Sequence, residues 1–184
     1  MIIEGRQRDL GGGFAVRRVL PSARRRSVGP FVFWDHFGPK TYEPGERFDV
    51  RPHPHINLAT VTYLFAGAID HRDSIGTFAT IEPGAVNLMT AGHGIAHSER
   101  SPQGERAKGP ELSGIQTWLA LPESAEEMAP AFEHVDAASL PVIEGGGAKA
   151  RVIMGSLWGA SAPTTTYAQT IYADIALDSG GSIP

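Results

Sequence analysis

Short apolar segments separated by glycine, proline and polar residues run the length of the chain. The clearest is TVTYLF, residues 60–65, rich in β-branched and aromatic types and closed by Gly67. Such residues fit a pleated, buried surface, so this segment predicts a strand. Segments at 14–19, 31–33, 68–72, 77–81, 86–89, 95–100, 114–121, 131–135, 150–154 and 172–177 predict further strands. HRDSIG, residues 71–76, reads as a turn, with Asp73 and Gly76 suited to it. Pro83-Gly84 and Ala91-Gly92 mark two more corners. Only PESAEEM, residues 122–128, has helical character, with acidic residues in its first turn. EGGG at 144–147 is a flexible corner or a boundary. No repeat of fixed short period interrupts this order. Many short strands punctuated by turn residues predict an all-β sandwich or barrel rather than a helical bundle.

Composition narrows the classes. A chain of 184 residues is long enough for one good core or slightly more. No apolar run approaches the roughly 20 residues that span a bilayer, and MIIEGRQRDLGGG carries no long apolar core behind a basic start. Cysteine is absent, which excludes disulfides, zinc-finger sites and thiolate chemistry. A cytoplasmic protein without membrane attachment is the resulting expectation. The formal net charge of −4 does not suit binding along a phosphate backbone. One basic cluster stands out: Arg17, Arg18, Arg24, Arg25 and Arg26. Within an acidic chain it reads as a solvated loop between two early strands, not as a direct nucleic-acid site.

Candidate chemistry sits in two separate stretches. In RPHPH, His53 and His55 are two apart. Residues i and i+2 of an extended chain point to one side, so these imidazoles can converge. Pro54 donates no hydrogen bond, which places the piece at a strand start or a sheet edge. The same spacing also fits two unconnected surface histidines. The second stretch, IAHSER, repeats the device with His97 and Glu99. The strands between the two stretches supply enough chain to travel round a small barrel and return. Three imidazoles and one carboxylate suit Fe(II), Mn(II), Ni(II), Cu(II) or Zn(II), and not Mg(II) or Ca(II). Four such ligands leave about two positions open on a six-coordinate ion.

At these residues the sequence resembles the pirin family of the cupin superfamily. The matching stretches are VRRVLPS (16–22), VGPFVFWDHFGP (28–39), RPHPH (51–55), TVTYLFAG (60–67), DSIG (73–76), PGAVNLMTAG (83–92), GIAHSE (94–99) and LSGIQTWLALP (112–122). The resemblance implies a cupin barrel, a double-stranded β-helix or jelly roll, holding one divalent metal, usually Fe(II). The family's ligand motif falls on His53, His55, His97 and Glu99. Asp35 and His36 belong to the hallmark WDHFGP and read as structural residues near the barrel rim. Ile56 stands where pirins commonly carry arginine, and Ala59 where the general cupin motif has glutamate. His93 lies in the glycine corner four residues before His97 and reads as a solvated loop histidine. His71 and Asp73 form another i, i+2 pair, but in a turn, so they carry no assignment; His134 has no evident partner.

Pirins are two-barrel proteins, and here the second barrel barely begins. The expected division is a metal-binding N-terminal barrel, 1–138, and the opening strands of a truncated second cupin, 139–184. Strands without partners expose edges, so self-association through 139–184 is expected. The resemblance implies two functions. One is a flavonol (quercetin) 2,3-dioxygenase type of oxidoreductase on a small aromatic substrate, with Glu99 as ligand and catalytic base. Ile56, Ala59, Leu64 and Met89 would form its apolar wall. The alternative is a non-enzymatic, metal- and redox-dependent regulator whose protein partner is a transcription factor or a metabolic enzyme. His97→Ala and Glu99→Ala are expected to lose metal, and His71→Ala to keep it.

Overall fold

Most of the sequence does form strands. The computed structural model describes residues 1–11 and 14–183. Its strands are β1 (Arg6–Asp9), β2 (Ala15–Leu20), β3 (Phe31–Thr41), β4 (Asp49–His55), β5 (Leu58–Ala66), β6 (Ile69–Asp73), β7 (Phe78–Ile81) and β8 (Val86–Thr90). They continue as β9 (Ile95–Arg100), β10 (Glu111–Ala120), β11 (Ala131–Val135), β12 (Val142–Gly145), β13 (Ala148–Met154), β14 (Ser156–Leu157), β15 (Ala160–Ser161) and β16 (Tyr172–Leu177). An antiparallel seven-stranded sheet runs β1-β2-β3-β10-β5-β8-β11, and a four-stranded sheet runs β4-β9-β6-β7. The two close on each other as a cupin barrel. Phe37 and Leu64 of the larger sheet pack with Ile69 and Ile81 of the smaller one and with Phe48.

The central strands of the larger sheet are buried on both faces. Strand β5 shows why, because its alternate residues serve two cores. Leu64 enters the barrel interior. Val61 and Tyr63 point the other way, beside Val86, Leu88 and Leu119, and meet Leu140, Ile153, Met154 and Tyr172 of the C-terminal segment. Burial on two sides accounts for the near-continuous apolar run TVTYLF. The C-terminal segment has its own three-stranded sheet, β12-β13-β16. It is anchored to the barrel by packing and by the Tyr63 hydroxyl, which donates to Asp174 Oδ2 at 2.8 Å. The position between residues 138 and 139 falls inside a 3-10 turn, Ala137–Ser139.

Three local expectations need correction. Residues 122–128 form successive turns, not a helix. The Pro122 carbonyl accepts from the N–H groups of Ala125 and Glu126, but the Met128 carbonyl is taken by the His93 N–H, and the chain then leaves toward β11. The short helix that does form is Gln103–Arg106. The predicted turn at 71–76 begins later, since β6 continues to Asp73 and places His71 in the sheet. The predicted strand 31–33 runs on to Thr41 and takes in the whole WDHFGP stretch.

Two features position the site. Strand β4 is the edge of its sheet, which accommodates Pro54 without breaking a ladder. The corner between β8 and β9 uses Gly92 at φ +51, where an added Cβ would collide with the Met128 carbonyl oxygen. That close turn delivers β9 against β4, with His53 opposite His97.

Burying a Val or Leu side chain is worth roughly 1.5–3 kcal/mol. Uncovering Val61, Tyr63, Val86, Leu88 and Leu119 together therefore removes an amount comparable to the whole stability of a domain, about 5–15 kcal/mol. A chain ending at residue 138 is expected to collect in the insoluble fraction or to bind a hydrophobic dye strongly. A soluble 1–138 fragment with one cooperative thermal transition would contradict this packing account.

Candidate metal centre

Six strands of the barrel, β2, β3, β4, β6, β9 and β10, contribute to one cavity. Its volume is about 90 Å³, and Phe33, Asp35, His53, His55, Glu99, Gln116 and Trp118 are among its lining residues. Strands β4 and β9 carry the three histidines. The potential ligand atoms of His53, His55 and His97 all lie within 4.8 Å of one another. His55 Nε2 and His97 Nε2 stand 3.1 Å apart. His53 uses Nδ1 on the Arg51 carbonyl oxygen, 2.9 Å away, which leaves its Nε2 free. Trp118 closes one side, its ring edge-on to His55 at 5.0 Å and stacked on Phe33 at 4.0 Å.

Glu99 is the fourth expected residue. It lies two residues beyond His97 on β9 and lines the same cavity, yet its carboxylate stands outside the tight histidine triangle. No salt bridge to it occurs among the described residues. Burial pushes its carboxyl up to about 7, against the opposing pull of a hydrogen bond from Thr62. Burial also drives the imidazoles down, His55 to about 4 with a contribution from His53, and His97 to about 2 with contributions from His53, His55 and His71. Neutral imidazoles are the form that binds metal.

These residues fit a divalent transition ion. Two imidazole nitrogens 3.1 Å apart match neighbouring ligands on one ion at metal–nitrogen distances of about 2.0–2.1 Å. A buried carboxyl without a cationic partner is a further sign, since a cation beside it would favour the charged form.

The remaining candidates lie elsewhere. Asp35 is buried in the cavity wall, and both its oxygens accept from Arg18 at 2.8 Å. Arg18 therefore leaves the basic cluster to make an ion pair, while Arg24, Arg25 and Arg26 are exposed. His36 alternates to the opposite face of β3 and is half-buried. His93 is exposed in its corner. His134 has a partner after all, Asn87 Oδ1 at 2.6 Å. The expected apolar wall does not form. Ile56 is exposed, Ala59 faces the outer core, Leu64 sits deeper in the barrel, and Met89 packs with Ala91 and Ile95. The wall is aromatic instead, made by Phe33 and Trp118 with Phe14 and Phe48. Sequence reasoning missed Phe33 and Trp118 because they lie on strands far in sequence from the histidines. The pairing of β10 with β3, Trp118 opposite Phe33, sets them side by side.

Glu99 bears on stability with a definite sign. Its ordinary value of 4.5 is raised to about 7 in the fold. The metal-free fold is therefore penalised wherever the unfolded chain would ionise this group first. Glu99→Gln removes that penalty. In chelator-treated protein the variant is expected to melt several degrees higher above pH 7, with the gain shrinking as pH falls and vanishing below about 4.5. A pH-independent difference, or a loss of stability at pH 8, would contradict it.

Comparison with known proteins agrees with this architecture. The family model described as Pirin matches residues 13–119. A pirin-like protein from Caulobacter vibrioides is 49% identical over 183 residues, covering 98% of this chain and 63% of the relative. Mouse pirin is 32% identical, covering 95% of this chain and 57% of its own. A crystal structure described as quercetin 2,3-dioxygenase from Acinetobacter baumannii superposes with a TM-score of 0.88 at 37% identity, covering 95% of this chain and 56% of that one. The chain thus spans a little over half the length of the proteins it matches. With the cupin barrel, the histidine cluster and a family match across more than half of its residues, this chain belongs to the Pirin family.

Proposed function

We propose that the barrel binds one divalent transition metal, Fe(II) in the first instance, through His53, His55, His97 and Glu99, and acts as an oxidoreductase of the quercetin 2,3-dioxygenase type. The observation that carries this is the convergence of three imidazoles beside a buried carboxyl in a cavity walled by aromatic rings. The relative of known structure described as a quercetin 2,3-dioxygenase supports the substrate class. In this reading residues 1–138 are the metal-holding barrel and 139–184 are the opening strands of a second one.

When bound, the metal supplies Lewis acidity for a substrate oxygen and redox access to dioxygen. The protein's own residues do the rest. His53, His55 and His97 would offer Nε2 atoms as ligands from two adjacent strands. Glu99, the carboxylate beside them, would take the proton of a substrate hydroxyl placed next to it. Trp118 and Phe33 wall the cavity with apolar surface and exclude water.

One observation favours a second reading, a metal-dependent regulator without turnover. The cavity of about 90 Å³ is well below the ~300–1,000 Å³ of pockets that enclose a drug-sized ligand. It receives the reacting edge of a flavonol and not its whole body.

The test separates the two. Protein loaded with Fe(II) under anaerobic conditions is mixed with quercetin, and oxygen is then admitted. The enzyme reading expects a shift of the flavonol absorption band, followed by oxygen uptake that His97→Ala abolishes. Full metal loading with neither shift nor uptake would overturn the enzyme reading and leave the regulator.

A further inference from the structure

Strand β6 carries a buried histidine that neither the ligand set nor the cavity wall uses. His71 is 4% exposed. Its ring stacks on Phe132 at 4.5 Å. Its Nε2 lies 3.0 Å from Asp73 Oδ2, and its Nδ1 lies 3.4 Å from Nδ1 of His97. The register of β6 on β9 sets this up, with Asp73 directly opposite His97. Asp73 is itself fixed, because its other oxygen, Oδ1, accepts from the N–H groups of Ile75 at 3.1 Å and Thr77 at 2.9 Å.

With both rings neutral, the chain of contacts admits one arrangement of protons. A carboxylate only accepts, so His71 donates from Nε2. In a neutral ring Nδ1 is then an acceptor. His97 must therefore donate from its Nδ1, which leaves its Nε2 lone pair aimed at His55 and His53. The reverse tautomer of His97 would put a hydrogen where the shared ligand point lies.

We propose that His71 and Asp73 are positioning residues: together they lock His97 in the tautomer and ring orientation that presents Nε2 to the metal. Partners of this kind tune ligand basicity and affinity in metal sites generally. The inference reverses the expectation that His71 stands apart from the metal, and it rests on the reading of His97 as a ligand.

Two variants isolate the effect. His71→Phe removes the acceptor and keeps the stacking on Phe132. Asp73→Asn keeps the shape and an oxygen for the Ile75 and Thr77 N–H groups, but turns an amide N–H toward His71 Nε2. The His71 ring then carries its proton on Nδ1 and faces His97 with a donor. Long-range proton–nitrogen NMR on metal-free protein reads the His97 tautomer directly. Chelator competition with Co(II) reads affinity, and circular dichroism with a thermal melt confirms the fold. The expected results are a His97 protonated at Nδ1 in the parent protein, a shift toward the Nε2-protonated form in Asp73→Asn, and Co(II) affinity about 10–100-fold weaker in both variants. Folded variants with parental affinity, or a parent protein protonated at Nε2 of His97, would overturn the inference. Failure of the parent protein to bind Co(II) at all would sink the metal reading, while the tautomer measurement would still decide this one.

Discussion

Three imidazoles packed within a few ångströms of one another inside the barrel are the constraint on which the rest of the structure depends. Water would protonate such a cluster readily, and mutual repulsion would then spread it. Burial between two sheets prevents that. It drives His55 and His97 far below the ordinary imidazole value and keeps their lone pairs available. The same burial makes Glu99 an expensive group in the metal-free fold. The site is thus poorly satisfied by itself, and a shared cation resolves both difficulties together.

Rigidity around the cluster comes from the two-sided burial of the larger sheet's central strands. The interior face of β3 and β10 builds part of the cavity wall, and the outer face of the same sheet is sealed by the C-terminal segment. Arg18 and Asp35 pin β2 to β3 next to the cavity through two hydrogen bonds. Trp118 is clamped between Phe33 and His55. The C-terminal segment therefore contributes to the site at a distance, although none of its residues lines the cavity.

Much of this was legible in the residues. Short β-favouring segments bounded by turn residues located most strands, and 95–100, 131–135 and 172–177 coincide with β9, β11 and β16. The H-x-H and H-x-E spacings anticipated that His53, His55 and His97 lie together, and Pro54 marked an edge strand. What escaped depended on partners distant in sequence. The apolar wall was sought next to the ligands, at Ile56, Ala59, Leu64 and Met89, whereas strand alternation sends Ala59 to the outer core and the register of β10 brings in Trp118. His71 read as a turn residue because Asp73 and Gly76 are good turn formers; only the pairing of β6 with β9 shows it buried against His97. PESAEEM has helix-forming composition, and the tertiary bond from His93 to Met128 overrides it.

The account stands on one ion sharing the Nε2 atoms of His53, His55 and His97 with the Glu99 carboxylate. X-ray absorption spectroscopy on Fe(II)-loaded protein, joined to anomalous diffraction at the iron edge, addresses that claim most directly. The predicted result is a single iron peak in the cavity beside Trp118, with three imidazole nitrogens and one carboxylate oxygen in its shell. Iron bound elsewhere on the surface, or a shell lacking the three imidazoles, would contradict it.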